Sequence, residues 1–188
     1  MKISQAHHTD TKERIITEAA RLFAQQGFEE TSLLQVARAV GVKKASLYYF
    51  FKDKEDIFAA VADDIWRHME EGVKRLAEEG KKGNISPNKF FVDIVEMVIA
   101  STQEAGNIMI RMEQFARSPA SHRKAMSRIT AIRKMLREFL KSCGVKDPAI
   151  AEEVIVNSIQ GYVMHNSCCA SPIPIRRYAN YLGSLFVK

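Results

Sequence analysis

Three cysteines, five prolines and a single tryptophan in 188 residues narrow the field before any motif is read. Cys143, Cys168 and Cys169 cannot build a disulfide framework, and their odd number fits a reducing compartment, which excludes a small disulfide-stapled secreted domain. No apolar run approaches the roughly 20 residues needed to span a bilayer. The start of the chain, Met1 to Lys12, is polar and lacks the apolar segment of a signal peptide. A cytoplasmic protein without a membrane segment is expected, in which the sequon at Asn84-Ile85-Ser86 carries no glycan. Also missing are a phosphate-cradling glycine loop, a His-Glu-x-x-His pair and paired Glu-x-x-His motifs. No catalytic residue, cofactor or metal is expected.

What is present is apolar content and mixed charge. A hydrophobic fraction of 46% supports one sizeable core, or a small domain beside a larger one. The net charge of +6 and pI near 9.3 permit an anionic partner without demanding one, because the cations are interleaved with acids along the whole chain.

Nearly every segment repeats its apolar residues with the helical period. The first helix is expected to open near Asp10, with a stripe of Ile15, Ile16, Ala19, Ala20, Leu22 and Phe23, and to stop at Gly27-Phe28. Thr31-Ser32 caps a short helix ending at Gly41. Asp53 with Asp56 starts a long one that reaches the linker from Gly80 to Asn84. Ser86-Pro87 starts the next, a short helix follows from about Asn107 to Arg117, and a longer one ends before Gly144. Asp147-Pro148 opens an eighth helix to about Ser167, and Pro174 precedes a ninth. The reading is all-α, with about nine helices and no strand.

One stretch resists this reading. Val40 to Glu55, VGVKKASLYYFFKDKE, places four consecutive aromatics between pairs of lysines, and by propensity Leu47 to Phe51 favours a strand. A lone strand in an all-helical chain has nothing to pair with. At about 100° per residue, Leu47, Phe50 and Phe51 share one arc, with Ala45, Tyr48, Tyr49 and Lys52 opposite. The run therefore reads as an amphipathic turn or two of helix whose outer side shows phenols among Lys43, Lys44, Lys52 and Lys54. That combination suits a phosphate backbone, and a short helix, a tight glycine turn and a second helix make a helix-turn-helix.

Residues 11 to 58 resemble the DNA-binding domain of the TetR (tetracycline-repressor) family, through RIITEAARLFAQQGFEETSLLQVARAVGVKKASLYYFFKDKEDIF. The resemblance implies a three-helix DNA-binding domain over residues 1–55 and a helical ligand-binding and dimerisation domain over 56–188. It implies that Ser32, Tyr48 and Lys54 contact phosphates and that Lys44, Ala45 and Tyr49 face base edges. Lys43 stands where the family usually has Ser or Thr, which removes a helix cap and adds a cation. Leu34 stands where a polar residue often reaches bases. The implied activity is a one-component transcriptional regulator, a repressor released from a palindromic double-stranded operator by a small-molecule effector.

The ligand-side expectations are Phe91, Val95, Val98, Met109, Met112, Phe115, Met135 and Tyr162, with His165 and Asn166 as polar anchors. This lining is aliphatic and thioether-rich, which suits a mostly apolar ligand with one polar end. A homodimer through the eighth and ninth helices is implied, with Ile155, Ile159, Tyr162, Val163, Tyr178, Leu182, Leu185 and Phe186 as its apolar surface. Two other classes fit the sequence less well. A helical enzyme using Cys168 or Cys169 with His165 has weak spacing, and a sequence-neutral architectural DNA binder has no use for a large apolar second domain. Asp64 and His68 have the spacing of a metal pair, but charged surface helices produce it often. The cations of the basic stretch from Arg123 to Lys141 lie opposite its apolar stripe and read as a solvated face.

Overall fold

The computed structural model describes the backbone of residues 2–104, 119–169 and 173–186. Among these there are eight helices and no strand: α1 Lys2–Gln26, α2 Leu33–Val40, α3 Lys44–Phe50, α4 Lys54–Lys81, α5 Pro87–Glu104, α6 Pro119–Ser142, α7 Pro148–Cys169 and α8 Ile175–Ser184. The short helix expected near 107–117 lies outside the described residues. The sequence-derived eighth and ninth helices are α7 and α8. One boundary is corrected, since α1 begins at Lys2 rather than near Asp10. Nothing between Lys2 and Asp10 is proline or glycine, so an established helix propagates through them at little cost.

Helix ends follow local chemistry. Asp53 accepts from the Asp56 amide at 2.8 Å, and the Asp56 carboxylate accepts from the Lys52 amide, so the start of α4 is bonded from both sides. The Ser86 hydroxyl does the same service for α5, and the Asp147 carboxylate for α7. Gly41 sits at φ +77°, a left-handed conformation that a side chain would strain, and this is what lets α2 stop and α3 start within three residues.

The chain divides into two compact units. One holds the residues up to Ile65 and those of α6 up to Ala125; the other holds Trp66 to Gln103 and Met126 onward. The first unit closes over Ile15, Ala19, Phe23, Phe28, Val36, Val40, Leu47, Ile57 and Val61. Phe23, Phe28 and Phe58 meet pairwise in it, with ring centroids 4.9 to 5.8 Å apart. The second unit is built on α5, whose Phe91, Val95 and Ile99 pack with Leu136 and Leu140 of α6, Ile155 and Ile159 of α7, and Leu182 of α8. Gly183 lets α8 approach α5 closely, because a Cβ there would stand 2.9 Å from the Phe91 ring. Tyr162 and Tyr178 stack at 4.4 Å and tie α7 to α8, each phenol donating to a backbone carbonyl, of Ile173 and Ser158 respectively.

The basic α6 differs from its sequence reading. Its cations are cross-helix struts as well as a solvated face. Lys124 pairs with Asp63 at 2.7 Å, and Arg128 with Glu70 at 2.8 Å. Arg133 and Arg137 both grip Glu152, whose side chain is fully buried, and Arg133 also reaches Glu153. Periodicity places a cation opposite an apolar stripe but cannot show that an acid from α4 or α7 stands within reach of it.

Candidate nucleic-acid interface

The aromatic run is helical through Phe50, and Phe51 closes the helix in an extended conformation. Leu47 and the C-capping Phe51 are buried and hold α3 against the first core, with Phe50 partly buried beside them. Their burial forces the opposite face outward, so Tyr48 is 52% and Tyr49 74% exposed, large values for rings of that size. Lys44 and Ala45 are exposed on the same helix. The Lys44 ammonium lies 6.0 Å from the Tyr48 ring centroid, one turn away, and the Tyr49 ring meets Phe50 edge-on at 5.1 Å. A phenol braced by a neighbour loses less side-chain entropy when it is later fixed against a ligand.

Lys43 is the N-cap of α3 and makes no side-chain capping bond, in line with the loss of the usual hydroxyl there. Ser32, by contrast, is committed locally. Its hydroxyl accepts from the Gln35 amide at 3.2 Å, and its own amide donates to the Gln35 side chain at 2.7 Å, a complete capping box. It remains exposed, so a phosphate at the start of α2 would meet the hydroxyl and the partly positive helix end together. Leu34, one position inside α2, is 44% exposed, an apolar contact where the family often has a polar one.

Lys54, the first residue of α4, reaches back across the first unit. Its ammonium donates to the carbonyls of Phe28 at 2.9 Å and Glu29 at 3.2 Å and lies 4.4 Å from the centroid of the Phe28 ring. It therefore pins the turn between α1 and α2 while keeping its charge. Sequence reasoning missed a second anchor, Arg14, which donates to the Val40 carbonyl at 2.6 Å. Lys12 lies over the Phe51 ring at 5.6 Å. Partners 26 residues away leave no trace in local periodicity, and nothing in the sequence marks Arg14 as more than an exposed residue beside the α1 stripe.

The ligand-side residues fall in the second unit. Phe91 and Val95 are fully buried, Val98 and Met135 are partly buried against the same cores, and Tyr162 is buried with its phenol already bonded to Ile173. Met109, Met112 and Phe115 lie outside the described residues. His165 is exposed and Asn166 partly exposed near the end of α7. Among the described residues no group of His, Cys, Asp and Glu is placed to hold a metal ion, and no helix is long and apolar enough to cross a membrane.

The surface expected to form the dimer is largely internal. Ile155, Ile159, Tyr162 and Leu182 are consumed by the chain's own core, and Val163, Tyr178 and Phe186 pack against it. Of that set Leu185 is exposed. The outward apolar residues of α7 and α8 are instead Ile150, Val154, Met164 and Tyr181, together with Leu185. Gly161 is exposed on the same side of α7 as Val154 and Met164, seven residues from one and three from the other.

Residues 15–61 match the model of the bacterial regulatory proteins, tetR family. The chain is similar to the HTH-type transcriptional regulator AcrR of Shigella flexneri, 40% identical over 70 residues that are 37% of this chain and 31% of that protein. It is 45% identical over 47 residues, 25% of each chain, to the biofilm operon icaADBC negative transcriptional regulator IcaR of Staphylococcus aureus strain Newman. These matches span less than a third of the length of the curated relatives. Over the whole chain the fold is that of solved regulators such as FadR from Bacillus subtilis, crystallised in complex with stearoyl-CoA. The TM-score is 0.69 at 19% identity, covering 94% of this chain and 97% of that one.

Proposed function

We propose that this chain, whose residues 15–61 match the model of the bacterial regulatory proteins, tetR family, is a one-component transcriptional repressor released from a palindromic operator by a small, mostly apolar ligand. The observation that carries the reading is the face of α3. Two phenols, Lys44 and Ala45 stand outward because Leu47 and Phe51 are locked inward, on a helix entered through a left-handed glycine turn. A helix of this size with a rigid inner face suits the major groove. Lys44, Ala45 and Tyr49 are assigned to base edges, and Ser32, Lys43, Tyr48 and Lys54 to phosphates. The negative regulator IcaR, similar in this segment, supports repression as the direction.

The DNA-reading part is assigned to residues 1–55 and the effector and dimer functions to 56–188. The effector would be lined by Phe91, Val95, Val98, Met135 and Tyr162, with Met109, Met112 and Phe115 as further candidates and His165 or Asn166 near its polar end. That a regulator of the same fold holds stearoyl-CoA supports a ligand with a long apolar part. To release DNA, the ligand must prefer the conformation that binds the operator poorly; a tenfold loss of affinity needs about 1.4 kcal/mol of that preference. The homodimer is assigned to the outward face of α7 and α8, through Ile150, Val154, Met164, Tyr181 and Leu185. A twofold dimer would present two copies of α3 to a palindrome.

Selection from random-sequence duplex DNA tests this. The wild type is expected to enrich a palindrome, and Lys44→Ala and Tyr49→Ala to change the bases preferred. Tyr48→Phe should weaken binding to that palindrome without altering its consensus. Failure of the wild type to enrich any sequence would overturn the function, and an unchanged consensus from Lys44→Ala and Tyr49→Ala would overturn the base-reading assignment.

A further inference from the structure

We infer that Arg14 is a positioning residue for DNA recognition, acting through the turn of the helix-turn-helix. The inference rests on the proposed operator-reading function. A helix leaves its last four carbonyls without partners inside the helix. At the end of α2 the Val42 amide takes the Ala37 carbonyl at 2.9 Å, and the Gly41 amide takes that of Arg38 at 3.1 Å. The carbonyl of Val40, the last helical residue, is taken from outside the motif by the Arg14 guanidinium at 2.6 Å. The bond joins a cation to the negative end of the α2 dipole, so charge and hydrogen bonding act in the same direction.

Geometry makes this bond matter for reading. Three residues separate Val40 from Lys44, where α3 begins. Lys43, the N-cap of α3, supplies no side-chain bond, so the base-facing end of α3 is held by the Ser46 amide on the Lys43 carbonyl, by Val42 packed against the core, and by the turn behind it. Arg14 fixes that turn to α1. Two residues earlier, Lys12 lies over the Phe51 ring at the other end of α3. The first helix thus braces both ends of the reading helix, and Ile15, fully buried immediately beside Arg14, keeps the brace from sliding. Loss of the Arg14 bond leaves α3 on its core but lets its amino end tilt. Small displacements there cost base contacts, which are directional, more than phosphate contacts, which follow charge.

The test compares the full-length wild type with Arg14→Ala, Arg14→Met and Arg14→Lys on two probes: the duplex that the wild type selects and a scrambled duplex of equal length and composition. Affinity is measured over a salt series, and amide hydrogen exchange is followed without DNA. Arg14→Ala and Arg14→Met are expected to bind the selected duplex on the order of tenfold more weakly. They should bind the scrambled duplex as the wild type does, keep its salt slope, and exchange faster at residues 41–46 while the α1 core amides stay protected. Arg14→Lys, which keeps a donor for the Val40 carbonyl, should recover part of the loss. Equal losses on both duplexes with a shallower salt slope would show a phosphate contact and overturn the inference. So would wild-type exchange at 41–46, or loss of protection throughout the first unit. If the wild type selects no duplex the operator function itself has failed, and the exchange measurement still decides whether Arg14 holds the turn.

Discussion

Gly161→Glu separates the fold of one chain from its assembly. Gly161 is exposed on α7, and a Cβ added there meets no atom within 4 Å. Within a single chain the substitution should therefore be harmless or better, since glycine in a helix interior costs about 1 kcal/mol relative to alanine and glutamate lies near the favourable end of the scale. At a twofold interface through the outward face of α7 and α8 the result reverses. Each protomer would bring a carboxylate to an apolar contact, and removing an ion from water without a partner costs several kcal/mol. A net loss of about 4 kcal/mol over the two copies would raise the dimer dissociation constant by roughly a thousandfold. Sedimentation velocity over a dilution series, with circular dichroism on the same samples, reads both effects. The expected result is a helical protein that sediments as a monomer at concentrations where the wild type is dimeric. A variant that keeps the wild-type dissociation constant would refute the assignment of this face. Gly161→Ala, which adds one methyl group, is expected to remain dimeric.

Lys54→Ala should lower stability by about 1.5–2 kcal/mol in urea titration, near the low end for hydrogen bonds to a charged group because the side chain is partly exposed, and reduce the salt slope of DNA binding by roughly one to two units per dimer. Unchanged stability would show that the bonds to Phe28 and Glu29 hold nothing in place. Glu152→Ala removes the buried acceptor that Arg133 and Arg137 share. Breaking a buried pair costs about 3–5 kcal/mol, but side chains 34% and 50% exposed can turn to water, so a loss of about 2–3 kcal/mol is expected, and one below about 0.5 kcal/mol would refute the strut. The Glu70 carboxyl is held below its ordinary value, first by the Lys74 hydrogen bond, against a desolvation that raises it, with Arg128 adding to the lowering. A depressed folded-state value means that stability is present above the ordinary carboxylate range and is lost as the pH falls through the folded value. Glu70→Gln should thus weaken the protein at neutral pH and flatten its acid limb, and identical urea midpoints for both proteins from pH 7 to pH 3 would contradict this.

Where local chemistry decides, the sequence was a sufficient guide. Asp53 with Asp56, Ser86-Pro87, Asp147-Pro148, Gly41 and Gly144 each mark a helix boundary because the bond or backbone angle involved lies within a few residues. Leu47 to Phe50 are helical despite their strand propensity because one face has a core to join, whereas Phe51 closes the helix in an extended conformation. The start of α1 is not legible, since Asp10 resembles a cap but the preceding residues contain nothing that stops a helix, and α1 begins at Lys2. The outward face of α7 was not legible. Ile150, Val154, Ile155, Ile159, Tyr162, Val163 and Met164 surround it with apolar residues, so periodicity cannot say which arc meets the chain's own core. Only the positions of α5, α6 and α8 make Ile155 and Ile159 internal and leave Ile150 and Val154 outside.

The same limit applies to charge. Counted along the sequence, the lysines and arginines of the first unit suggest an affinity for DNA built from direct contacts. In the fold two are already engaged: Lys54 with two carbonyls and Arg14 with the Val40 carbonyl. Their donors are directed within the protein while their charges remain. Such groups still contribute to the field that draws a polyanion in, and that part is insensitive to base sequence. On the proposed function, discrimination rests on the few side chains that α3 turns outward, and on how firmly Arg14 holds the turn before it. A reading head arranged this way couples specificity to its own rigidity. Substitution of Arg14 should therefore erode the ratio of specific to non-specific binding before it erodes binding itself.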